Sequence, residues 1–170
     1  NEVNQHYTEA NAWHYMFGAH HDIEGIKQLL SHQRMIGSEK NTASLENKLD
    51  ELFRSSSEMS GRVQSDITGL IGQYAHGNEP SHHVGYLYNY CGRYDKTQDI
   101  LQHIMDSFYL DAPDGLCGNE DCGQMSAWYV FSALGFYPVN PIIGSYDKGI
   151  PQFGSVKIVV PGHKEIKIKV

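Results

Sequence analysis

GNEDCGQMSAWYVFSALGFYP, residues 118–138, sets two adjacent acids between glycines, directly ahead of an apolar run that ends at a glycine and then a proline. Its apolar residues lie almost all round a 3.6-residue period, so the spacing predicts a helix buried on most of its surface. Gly135 stands where a helix needs a left-handed terminating residue, and Pro138 follows it closely. A helix of that kind needs other helices to bury it, and the chain supplies them upstream. In SLENKLDELF, Leu45, Leu49, Leu52 and Phe53 share one face; in TQDILQHIMDSFY, Ile100, Leu101, Ile104, Met105 and Phe108 form a second apolar stripe. Further helices are predicted in NAWHYMF, in HDIEGIKQLL opened by Asp22, in DITGLIGQYA, and in SHHVGYLYNYCG opened by Ser81 after Pro80.

Downstream the period changes. SVKIVV and EIKIKV alternate with period two around PGHK, which predicts a β-hairpin at the end of the chain. The expected fold is mainly α, with short strands at the C-terminus belonging to a different layer or domain.

The totals narrow the function. With 170 residues and 40% hydrophobic content there is one core to build. A formal charge of −7 lacks the basic footprint of a nucleic-acid binder, so no nucleic-acid partner is expected. No run approaches the ~18 apolar residues of a membrane span. The three cysteines have neither CxxC nor zinc-finger spacing, and although Cys117 and Cys122 could close a small loop, no disulfide framework is indicated.

Four polar clusters fall at predicted helix ends: YTEANAWHY, GRVQSDITG, HGNEPSHH and DGLCGNEDCGQMSAW. Helix ends are where a helical domain gathers functional groups, since packing consumes the middles. Glu9, Glu79, Glu120 and Asp121 are therefore the carboxylates to weigh. For Glu120 and Asp121 the plain alternative is a helix N-cap, and Asp66 reads equally as a cap or a ligand. Glu9 lies near Trp13, and desolvation against an aromatic ring can raise a carboxyl pKa. His82 and His83 are adjacent and point about 100° apart on a helix, which disfavours zinc. Glu79, Asn78, Asp121 and Gln64 offer the oxygen donors that calcium takes. GxSxG, P-loop and GxGxxG patterns do not occur in the sequence.

Taken together and in this order, YTEANAW, SDITGLIGQYAHGNEPSHHVGYLYNYCG, MDSFY with PDGLCGNEDCGQMSAWYVFSALGFYPVNP, and the closing FGSVKI resemble glycoside hydrolase family 92, the calcium-dependent exo-acting α-mannosidases. The resemblance covers nearly the whole chain. It implies that residues 1–145 are the C-terminal part of an (α/α)6 catalytic barrel, and that residues 146–170 are strands returning to an N-terminal β-sandwich domain of a longer parent. It implies Glu9 as general acid, Asp121 as general base, Gln64, Glu79 and Asp121 near a calcium ion, and Trp13, Asn119, Glu120, His82 and His83 around a mannose-containing oligosaccharide. Asn119 stands where some members carry another aspartate. The implied reaction is inverting hydrolysis, with the two carboxyls ~6.5–9.5 Å apart and a water between base and sugar, while calcium on the mannose 2- and 3-hydroxyls helps distort the ring. The family's α-1,2 specificity goes with a His-Glu pair shortly before DITG; residues 60–64 here read SGRVQ, which leaves α-1,3 or another linkage open. Family habit implies a periplasmic or surface enzyme of a bacterium. The alternative expectation is an inert carbohydrate-binding remnant, and little turnover is expected from these 170 residues alone.

Overall fold

The structure, a computed structural model, describes residues 1–32 and 44–169. Helices are its commonest regular elements, joined by small strand pairs. In chain order come β1 (Glu2–Val3), α1 (Ala12–Tyr15), α2 (Ile23–His32), α3 (Leu45–Arg54), β2 (Ser60–Gly61), β3 (Leu70–Ile71) and β4 (Tyr74–Ala75). Two 3₁₀ segments follow, Glu79–Ser81 and Val84–Cys91, then α4 (Tyr94–Phe108), α5 (Gln124–Leu134), β5 (Phe136–Tyr137), β6 (Asp147–Lys148), β7 (Ser155–Ile158) and β8 (Ile166–Lys169).

The amphipathic stripes do what their spacing predicts. On α3, Leu45, Leu49 and Leu52 are buried, and Ser44 caps the first turn by accepting from Asn47 N at 3.1 Å. On α4, Leu101, Ile104 and Met105 face the core, and the helix packs along the 3₁₀ segment Val84–Cys91. Gly85 permits that approach: a Cβ there would sit 3.2 Å from Leu101 Cδ2 and 3.5 Å from Ile100 Cγ2. An ionic seam ties α3 to α4, with Lys96 Nζ 2.7 Å from Asp50 Oδ1 and 2.8 Å from Glu46 Oε1, and Arg93 paired to Glu46 as well.

Three expected helices are corrected. DITGLIGQYA is not a helix but the antiparallel pair β3–β4, in which Leu70 faces Ala75 and Ile71 faces Tyr74. Its turn glycine, Gly72, has φ +58°, and a Cβ there would collide with the Leu52 carbonyl, so this segment turns back where α3 ends. SHHVGYLYNYCG forms 3₁₀ turns rather than an α-helix, ending at Gly92 in the left-handed region. NAWHYMF yields only the single turn α1, closed by a capping box between Asn11 and His14.

The helix α5 starts and stops as the sequence predicts. Gly123 (φ 93°) precedes it, and Gly135 (φ 90°) ends it by donating its N–H to the carbonyls of Phe131 and Ser132. Its burial is one-sided: Met125, Trp128, Ser132 and Ala133 are inside, whereas Tyr129 and Val130 are exposed, so the expectation of a helix buried nearly all round fails on that face. The terminal hairpin is present, with β7 and β8 antiparallel from Ser155↔Lys169 to Ile158↔Ile166; Val170 lies outside the described residues. The helices described do not by themselves close into a ring of helix pairs.

Candidate functional site

Three of the polar segments are held together by glycines with no room to spare. Gly77 and Gly118 flank the hydroxyl of Thr68: a Cβ on Gly118 would lie 2.5 Å from Thr68 Oγ1 and 3.7 Å from Gly77 Cα, and a Cβ on Gly77 would collide with the same hydroxyl. His76 N donates to Gly69 O and Gly77 N to Thr68 O, each at 3.0 Å, which extends the β3–β4 pairing as far as the HGNE stretch. Asn119 Nδ2 then donates to Asp66 Oδ1 at 3.2 Å, joining the GNED loop to the SDITG loop. Asn78, buried, donates its Nδ2 to the Glu9 carbonyl at 3.0 Å and so fixes the fourth segment. Gln64 sits half-buried at the head of the SDITG loop, its carbonyl accepting from Ile67 N at 3.4 Å.

Among the described residues no lysine or arginine pairs with Glu9, Glu79 or Asp121, while His82 lies close enough to Glu79 to feel its charge. Glu9 and Glu79 are exposed, and Asp121 is half-buried. Desolvation pushes the Asp121 carboxyl pKa above its ordinary value, and repulsion from Glu79, Asp66 and Glu120 adds to the shift. The backbone sets both candidate catalytic residues apart. Among the described residues the non-glycine positions with positive φ are Glu9 (50°), Asp121 (51°) and Cys122 (57°). That region costs a non-glycine residue on the order of 1–3 kcal/mol and persists where the surroundings impose it.

Beneath the acids lies a polar network that periodicity did not announce. Tyr109 donates its hydroxyl to the Met125 carbonyl at 3.0 Å, so His76 must donate from Nε2 to the Tyr109 oxygen, and its Nδ1 accepts from the Tyr74 hydroxyl, both at 2.7 Å. Burial among Trp128, Phe108, Tyr109 and His82 lowers the His76 pKa to about 2, which keeps the ring neutral. His82 donates from Nε2 to the His76 carbonyl at 3.0 Å and accepts at Nδ1 from Gln124 at 3.3 Å, while Trp128 Nε1 donates to the His82 carbonyl at 2.9 Å. His83 donates to the Phe17 carbonyl at 2.9 Å.

Several of the expected sugar contacts make bonds within the chain. His82 and His83 are buried and bonded to the backbone carbonyls of His76 and Phe17. Glu120 accepts from Ser126 N at 3.0 Å and from Ser126 Oγ at 2.9 Å, the helix-capping alternative. Trp13 is packed against the core, gives its indole N–H to Asn1 Oδ1 at 3.1 Å, and carries the Lys48 ammonium 5.6 Å from its ring centre. Asn119 remains exposed at the rim. Cys91, Cys117 and Cys122 are free thiols. Asn78, Thr68 and His76 are the positioning residues that the sequence reading missed or underused; the crowding of Gly and His in YAHGN was the available signal.

As calcium donors, Gln64, Glu79, Asp66 and Asp121 fit in kind, all being oxygen ligands, and the mutual repulsion of the acids is what a cation would relieve. Among the described residues no three His, Cys, Asp or Glu side chains converge as a finished metal cage would.

Asp121 thus stands near Glu79, Asp66 and Glu120, beside a network of buried histidine and aromatic rings. The whole chain, residues 1–170, matches the glycosyl hydrolase family 92 catalytic domain, and the chain belongs to that family. It is 38% identical to a family 92 α-mannosidase from Bacteroides thetaiotaomicron solved with mannoimidazole, with a TM-score of 0.79 over 95% of this chain and 20% of that one. To a family 92 inverting mannosidase from strain VPI-5482 of the same species it is 36% identical, with a TM-score of 0.72 over 96% of this chain and 22% of that one. An uncharacterized secreted glycosidase of Arthroderma benhamiae is 35% identical over 85 residues, half of this chain and 11% of that protein. The chain thus spans about a fifth of the length of the solved relatives.

Proposed function

We propose that this chain carries the acid and base of an inverting exo-α-mannosidase, within the catalytic domain of a longer protein. The observation that carries the proposal is the left-handed backbone of both Glu9 and Asp121, in loops drawn together by Asn78 and by the Gly77–Thr68–Gly118 contact. Strain held by surrounding structure at two carboxylates is characteristic of working sites. Glu9, exposed at the rim, is the general acid that protonates the leaving oxygen. Asp121, whose raised proton affinity suits it to take a proton from water, is the general base. Relatives described as an inverting mannosidase and as an α-mannosidase in complex with mannoimidazole support the substrate class and the stereochemistry.

A calcium ion held by Gln64, Glu79 and Asp121 would supply positive charge and a grip on vicinal sugar hydroxyls. Asp66, turned toward Asn119, keeps the GNED loop in register below them. The remaining walls of the site, and an (α/α)6 ring with its β-sandwich partner, belong in this proposal to the rest of the protein. Residues 60–64 lack the His-Glu pair associated with α-1,2 cleavage, so an α-1,3 or other α-linkage is proposed. The secreted fungal relative supports export, and no helix among the described residues is long and apolar enough to cross a membrane.

The test is hydrolysis of an aryl α-mannoside by the full-length protein and its Glu9→Gln variant, with and without chelator. The proposal expects turnover in the first, a loss of about 10²–10⁴-fold in the second, the range a positioned proton donor contributes, and a loss on chelation. Turnover indifferent to both changes would overturn it.

A further inference from the structure

A well-formed cleft lies away from the carboxylate rim. It has a volume of about 640 Å³, within the range of small-ligand sites, and lies where the end of the 3₁₀ helix Val84–Cys91 meets the start of α4 and strand β6. At ~2.0 Å per residue that 3₁₀ helix is about 16 Å long, and it separates the cleft from Glu79 at its other end.

We propose that this cleft is a second carbohydrate-binding site, taking a neutral mono- or oligosaccharide apart from the catalytic carboxyls. Tyr94 and Tyr146 line it and are more than half exposed. Tyr146 is nevertheless braced, stacked on Phe131 with ring centres 6.3 Å apart and met edge-on by Phe136 at 5.2 Å, so its ring is a fixed platform for the apolar face of a sugar. Tyr90 holds one oxygen of Asp147, donating to Oδ2 at 3.1 Å, which orients the carboxylate and leaves Oδ1 to accept hydroxyls. Asn89, on the wall of the cleft, is pinned by donating Nδ2 to the Lys148 carbonyl at 2.7 Å, which holds the backbone beside Asp147 in place. Gln98 adds an exposed amide from the first turns of α4.

The charge of the lining favours a neutral ligand. Its one carboxylate, Asp147, and its one ammonium, Lys148, cancel, whereas a cage for an organic cation would present the rings and the acid without the lysine. Fixed aromatic faces beside amide and carboxylate acceptors match the alternating C–H and O–H character of a sugar. The ligand class rests on the family reading; the location does not.

The test titrates the full-length protein, selectively labelled, with methyl α-mannoside and with mannobiose, following backbone amide signals. The proposal expects saturable shifts at Asn89, Gln98 and residues 147–149. Affinity should fall about fivefold in Tyr94→Ala, the loss expected for one ring contact, and also in Gln98→Ala, a solvent-facing change that keeps the test valid if Tyr94→Ala does not fold. No shift at these positions, unchanged affinity in the folded variants, or a preference for tetramethylammonium over the sugars would overturn it. Shifts at Glu79, Asn119 and Asp121 are read separately in the same spectra, so failure at the cleft and failure at the carboxylate rim are distinguished.

Discussion

At the residue scale the account turns on Asp121. Its carboxyl pKa is raised on folding, so between the ordinary aspartate value and the raised one the folded chain binds more protons than the unfolded chain. Stability from this group is therefore greatest in acid and is lost as pH rises through the raised pKa. Asp121→Asn should raise Tm at neutral pH while abolishing turnover; a lowered Tm in a variant that keeps its fold would contradict the electrostatic account. Activity should fall as pH drops through that same pKa, because the base must be ionised to accept a proton from water. Added calcium should raise the Tm of the wild type and do so less in Asp121→Asn, and an equal shift in both would remove Asp121 from the ion site. Glu9 and Asp121 were nameable from their motifs, but their left-handed φ values were not, because nothing in side-chain pattern reports a backbone angle at a non-glycine position.

At the element scale, the site rests on the buried His76 network and on the contact between glycines 77 and 118. His76 titrates near 2 when folded and His83 near 4, against an ordinary 6.5, so the unfolded chain takes up protons first. Stability is full above about pH 6.5 and falls below it, by about 1.4 kcal/mol per pH unit for each such histidine. His76→Phe should flatten that slope in urea titrations at pH 5 and pH 7, and an unchanged slope would show that the ring is not the titrating group. Gly77→Ala should cost about 1–3 kcal/mol through overpacking against Thr68. Thr68→Ala should recover part of that loss in the double variant; simple additivity of the two losses would mean the contact is not the cause. The helices α3, α4 and α5 were legible because their burial repeats with helical spacing. DITGLIGQYA misled for a definable reason: Ile67, Leu70 and Ile71 fit a helical stripe, but Gly69 and Gly72 both take positive φ and Gly72 has no room for a side chain beside α3. The 3₁₀ form of residues 84–91 was illegible because i, i+3 and i, i+4 spacings share their first contact.

At the scale of the whole molecule, this chain has a dense helical centre and lightly attached margins. Trp128, Leu49, Leu52, Leu101 and Ile104 are almost wholly inside, while Val159, Val160 and Ile166 near the terminal hairpin and Ile142 and Ile143 before β6 are exposed. A two-stranded hairpin is marginal by itself, so amides of β7 and β8 should exchange far faster than those of α4; equal protection would show that the hairpin belongs to the same cooperative unit. The hairpin was legible from its period, whereas what covers its apolar face was not, since a period of two marks a face and not its partner. The one-sided burial of α5 has the same origin: a sequence marks a residue as apolar without saying which neighbour covers it.

The central claim, that Glu9 and Asp121 act as the acid and base of one inverting site, is tested most directly by following the anomeric proton of released mannose during hydrolysis of an aryl α-mannoside by the full-length protein, alongside Glu9→Gln and Asp121→Asn. The account predicts β-mannose as the first product in the wild type and a loss of turnover of about 10²-fold or more in each variant. First release of α-mannose, or wild-type turnover in either variant, would contradict it.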